Sequence, residues 1–125
     1  MERQGEITPT LAEFRCYWFV ARDMERQRAR RRIDLMRPEE DPRRVRALYC
    51  MRRQERILDR GYERLEELRP ALGELAYEIA GAHFLECEDW HDLSARLGIP
   101  YDKCKKVAYK AFRRHDALNG AGPRG

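Results

Sequence analysis

No stretch of this chain approaches the roughly eighteen consecutive apolar residues that mark a membrane-spanning helix, so none is expected. Met1-Glu2-Arg3-Gln4-Gly5-Glu6 has no hydrophobic region, so secretion is not expected either. Cysteine is sparse. Cys16, Cys50, Cys87 and Cys104 stand far apart without a C-x-x-C pair, a usage that points to reduced thiols in a cytoplasmic protein. Internal repeats, strand-like alternation and glycine-rich phosphate loops are all missing. Nothing brings Ser94 or a cysteine to a histidine and a carboxylate, and the acid pairs Glu39-Glu40 and Glu66-Glu67 fall on loops or exposed faces. No enzymatic activity and no cofactor are therefore expected. His83, Cys87 and His91 follow one another at intervals of four and would share a face on one continuous helix, but Glu88-Asp89 reads as a helix boundary, so no metal site is expected.

What is present is charge and helical periodicity. Charged residues make up 38% of the 125 and hydrophobic ones 42%, with long runs of Glu, Arg, Leu and Ala, which favours an all-α protein with a modest core. The formal net charge of +4 is mild, but its distribution is not. Residues 101–125 hold seven basic residues against two acidic, a local +5. Arg22 to Arg32 holds six arginines against Asp23 and Glu25, a local +4. Three readings of that second run stand open: a solvated helix face, an additional phosphate contact, or a surface for an acidic protein.

Along the chain, residues 1–8 are expected to be flexible, with Thr8 as N-cap and Pro9 opening a first helix to about Met36. Its apolar stripe reads Leu11, Phe14, Trp18, Ala21 and Met24, flanked by Tyr17. Arg37 to Pro42 breaks it, and Asp41-Pro42 restarts a second helix over about 42–68, striped by Ala47 or Leu48, Met51, Leu58, Tyr62, Leu65 and Leu68, with Gly61 as a soft point. The two form an antiparallel hairpin, 9–69, for interaction or oligomerisation. Pro70 starts a third helix to about Leu85, and Asp89 caps a fourth containing Trp90, Leu93 and Leu97. The last runs from about Tyr101 to Leu118, followed by a flexible tail, 119–125.

Residues 89–118 organise the rest. Gly98 suits the left-handed residue that ends a helix, and Pro100 pre-sets φ for a new one. Cys104, Val107, Ala108, Ala111 and Phe112 recur at three and four, while the lysines and arginines lie away from that face. Residues 70–118 thus have the parts of a helix-turn-helix DNA-binding domain: a supporting helix, a first helix, a turn and a recognition helix for the major groove of double-stranded DNA. Tyr101, Asp102, Lys103, Lys105 and Lys106, near the start of the last helix, are the candidates for base edges. Lys110, Arg113 and Arg114 are placed for phosphates.

The segment Asp89-Trp90-His91-Asp92-Leu93-Ser94-Ala95-Arg96-Leu97-Gly98-Ile99, with Cys104, Val107, Ala108 and Ala111-Phe112, resembles region four of bacterial sigma factors. More closely, it resembles the phage late-gene transcriptional regulators of the ArpU and RinA type, which also carry a helical hairpin ahead of the motif. The family usually caps the recognition helix with Ser or Thr where this chain has Pro100, and has a β-branched or aliphatic residue in place of Cys104. The resemblance implies sequence-specific promoter binding by a phage or prophage protein in the cytoplasm, and contact with RNA polymerase or a sigma factor. The alternative is a helical adaptor for such a partner without DNA specificity of its own. The incomplete stripes of the hairpin are compatible with a homodimer.

Overall fold

The computed structural model describes residues 7–120, and within them the protein is all-helical. Helix α1 spans Pro9–Leu35 and α2 spans Pro42–Leu72. A short α3, Glu74–Ala80, widens into a π-helical turn over Gly81–Leu85, and α4, Trp90–Leu97, and α5, Tyr101–Leu118, complete the chain. Residues 1–6 and 121–125 of the expected flexible ends lie outside the described residues.

The hairpin is antiparallel. Arg31 and Asp23 both reach Gln54, and Glu13 pairs with Arg64 at 3.2 Å, so residue numbers fall on α1 as they rise on α2. Asp41 opens α2 as the sequence suggests, its Oδ1 accepting the Arg43 amide at 2.9 Å ahead of Pro42. Thr8 sits at the N-cap of α1, but its side chain does not cap and it is buried rather than part of a loose end, at 1% exposure. The Thr10 amide is instead taken by Asp116 of α5.

Three details depart from the expected pattern. Pro70 does not start a helix; α2 runs through it to Leu72. There the proline forgoes the backbone bond to the Glu66 carbonyl and sets its ring against it, and the true stop is Gly73, whose φ of 85° and ψ of 158° are open essentially to glycine alone. Tyr17 is a core residue and Trp18 its half-buried flank, the reverse of the expected roles, while Tyr62 is exposed. Gly61 is no soft point. It is buried where a Cβ would come within 2.8 Å of a Leu85 methyl and 3.1 Å of the Tyr17 ring, so its bareness lets α2 close on α1 and the π turn.

Two apolar clusters follow. The larger joins Leu11, Phe14 and Tyr17 of α1 to Leu65, Leu68 and Leu72 of α2 and to Phe84, Ala111 and Phe112, with the Phe14 and Phe112 rings stacked at 5.0 Å. The hairpin base and the last helix therefore share one core. The smaller cluster is Ile79 of α3, Ala82 of the π turn, Leu93 of α4 and Cys104 and Ala108 of α5, none more than 5% exposed. No helix among the described residues is long and apolar enough to cross a membrane.

Candidate nucleic-acid interface

The turn between α4 and α5 is built as its residues dictate. Asp89 caps α4, its Oδ1 accepting the His91 amide at 2.8 Å. At the other end Gly98 takes φ 66° and ψ 29°, the left-handed conformation, and sends its amide back to the Ser94 carbonyl. The Ser94 hydroxyl then donates to the Ile99 carbonyl at 2.5 Å, closing the corner. Pro100 stays extended, and its carbonyl accepts the first amides of α5, those of Lys103 and Cys104, at 3.0 Å each. Helix α5 accordingly begins at Tyr101, which settles which residues occupy its first turns.

On α5, Cys104, Ala108, Ala111 and Phe112 are buried, and burial pushes the Cys104 thiol up from its ordinary value. Lys103, Lys106, Lys110 and Arg114, at steps of three and four, lie on the opposite side and are exposed. None of the four has an ion pair or hydrogen bond to a described residue, so the stripe is positive and unneutralised. Asp102 is also exposed, in the first turn, where an acidic side chain suits the helix dipole.

The remaining candidates do not join that stripe. Lys105 is half-buried with its ammonium 5.6 Å from the centre of the Tyr109 ring, and Tyr101 stacks on His91 with ring centres 4.3 Å apart. Arg113 is half-buried on the edge of the basic face. Sequence periodicity placed all six basic residues together because it counts only distance from the apolar face, whereas Lys105 is drawn to an aromatic neighbour that no spacing reveals.

That neighbour belongs to a cleft of about 530 Å³ between α1 and the turn region, walled by Trp18, His83, Trp90, Tyr101 and Tyr109 with Arg15 and Arg22 at its edge. His83 is held between the two indoles, 6.0 Å from Trp18 and 3.8 Å from Trp90. Its Nδ1 lies 2.9 Å from the Glu88 carbonyl, which can only accept, so that nitrogen carries the proton. Burial pulls its pKa below the ordinary histidine value, outweighing the Glu88 hydrogen bond. His83 and His91 are thus a sandwiched ring and a stacked ring, while Cys87 adopts a left-handed φ of 59° that ends the π turn. Among the described residues no three histidines, cysteines or acids are grouped as a metal would need. Arg96, the one arginine of α4, is engaged within the unit, bridging Glu88 at 2.9 Å and Glu78 at 3.2 Å.

Comparison of the chain with protein-family models, with curated proteins and with solved structures gives no match.

Proposed function

We propose that the chain is a sequence-specific, double-stranded DNA-binding transcriptional regulator that reads the major groove with α5. The observation that carries this reading is the unpartnered stripe of Lys103, Lys106, Lys110 and Arg114, on a helix anchored by its other face and set off by a left-handed glycine turn. Lys103 and Lys106, in the first two turns, are within reach of base edges, where lysine donates to guanine acceptors; Lys110 and Arg114 follow along the backbone and fix register. Asp102 and the half-buried Tyr101 flank the reading end, and Lys105 and Arg113 border it. The protein acts by binding, without catalysis or a cofactor, in the cytoplasm of a bacterial host as a phage or prophage product, and touches RNA polymerase or a sigma factor through the hairpin.

A second reading, an adaptor that docks a polymerase or sigma partner without reading DNA, is favoured by one observation: Ile33, Met36, Val45 and Tyr49 are between 55% and 82% exposed around the tip of the hairpin. A mobility shift on mixed-sequence duplex at low and moderate salt separates the two. The parent retards duplex and does so less as salt rises, and Lys103→Ala/Lys106→Ala does so weakly or not at all. Absence of any shift by the parent at low salt leaves the adaptor.

A further inference from the structure

The arginine run of α1 meets a second set of arginines on α2. Residues 22–60 hold fourteen arginines and eight acidic residues, a net +6. At the tip of the hairpin Arg30, Arg31 and Arg37 face Arg43 and Arg46 across an open cleft of about 530 Å³. Asp34 is the one carboxylate in its wall, and it is taken by Arg37 at 3.1 Å. Arg31 is pinned by Gln54 and lies 3.6 Å from Asp23, while Arg43 is paired with Asp41 at 3.2 Å. Arg30 and Arg46 are exposed and have no partner among the described residues. One guanidinium from each helix is therefore left free on either side of a cleft whose other arginines are held in place.

We infer that this cleft is a second phosphate-binding site, separate from α5, that takes the backbone of nucleic acid; it rests on the DNA-binding reading above. Guanidinium forks match phosphate oxygens two at a time, and arms fixed by Gln54 and by the neighbouring acids lose little freedom on binding. Charge and shape select the occupant. A net +6 around a wall made mainly of arginine calls for a polyanion. Every nucleotide of a phosphodiester backbone carries a charge with two free oxygens for a guanidinium fork, whereas a peptide matches it only where every residue is acidic. Arg30 lies twenty residues along α1 from Thr10, which is bound to α5. The reading end of α5 is nearer, since Tyr101 lines one cleft with Arg22, eight residues before Arg30; at about 1.5 Å per residue the arginine site stands roughly 12 Å further along α1, so its occupant is backbone flanking the bases read by α5.

The test is fluorescence anisotropy of the full chain with a labelled duplex across a salt series, with calorimetric titration of inorganic pyrophosphate beside it. Arg30→Gln/Arg46→Gln, both exposed and unpartnered, is expected to keep the unfolding midpoint and to flatten the salt slope by roughly 0.9 per arginine lost. Pyrophosphate is expected to bind the parent and Lys103→Ala/Lys106→Ala, and not the arginine pair. An unchanged slope together with unchanged pyrophosphate binding in the arginine pair overturns the site. A polyglutamate peptide that displaces the duplex as well as pyrophosphate does, charge for charge, overturns the phosphate assignment. Should the lysine pair keep the full slope while the arginine pair loses it, the α5 reading fails and the cleft stands.

Discussion

The Asp116 carboxylate, 3% exposed near the end of α5, caps the start of α1: it accepts the Thr10 amide at 2.9 Å and the Thr10 hydroxyl at 2.5 Å, across 106 residues of sequence. With the Phe14–Phe112 stack beside it, this contact fixes the basic helix against the hairpin. Burial alone would raise the Asp116 pKa, but the two Thr10 donors outweigh it and hold the carboxyl below the ordinary aspartate range.

Asp116→Asn keeps the shape and loses the charge that both donors address. Charge-assisted bonds of this kind contribute about 1.5–3 kcal/mol each, and removing a helix cap costs about 0.5–2 kcal/mol, so a loss of about 1–3 kcal/mol in urea unfolding is expected. The loss is pH-dependent. An unfolded aspartate titrates near about 3.9 and the folded one below it, so the contribution is complete above about pH 5 and disappears as pH falls through the folded value. Parent and variant stabilities should therefore converge in acid; a constant difference down to pH 2 would remove Asp116 as the cause.

Gly61→Ala sets two effects against each other. Helix propensity favours alanine by about 0.8–1.0 kcal/mol. The new Cβ, however, meets a Leu85 methyl at 2.8 Å and the Tyr17 ring at 3.1 Å, both in the packed core, so a buried side chain must shift, and overpacking of this kind costs about 1–3 kcal/mol. The clash wins, and a lower urea midpoint is expected; a raised midpoint would mean that α1 and α2 are not in this contact.

How far the sequence could be read divides along the same lines. Local rules located the ends of α4 and α5 because Asp89, Gly98 and Pro100 act within three or four residues of themselves. They misplaced the third helix because a proline inside a helix is disfavoured locally, whereas burial of Leu68 and Leu72 on either side of Pro70 carries α2 through it, and Gly73, which ends α2, carries no neighbouring punctuation. Gly61 and Asp116 were illegible for a deeper reason: each is explained by a partner far along the chain. Within the site, Lys103, Lys106, Lys110 and Arg114 were recoverable from spacing alone, whereas Lys105 and Tyr101 are turned aside by Tyr109 and His91.

His83 gives a second pH response of the same sign. Burial holds its folded pKa below the value of about 6.5 expected when unfolded. Between the two values the unfolded chain binds the extra proton, so stability falls as pH drops below about 6.5. Both tryptophans of the chain flank this ring, which makes intrinsic fluorescence the readout. Quenching by the imidazolium is expected to set in below pH 6.5 in the parent and to be absent in His83→Phe. A transition centred above pH 6.5 would contradict the burial.

Within α5 the exposed stripe should divide by role. Lys110→Ala/Arg114→Ala is expected to weaken binding about equally on all duplexes and to lower the salt slope by roughly 0.9 per side chain. Lys103→Ala should change which duplexes are preferred, by about 1–3 kcal/mol at the base it contacts. Measured affinities for a preferred and a scrambled duplex at several salt concentrations distinguish the two patterns.

The central claim, that α5 reads sequence, is tested most directly by selecting bound duplexes from a random pool with the parent and with Lys103→Ala/Lys106→Ala. A short enriched motif with the parent, blurred or lost in the variant, is the expected result, and a symmetric motif would also show that a dimer binds. A parent that retains duplexes without enriching any sequence would contradict it.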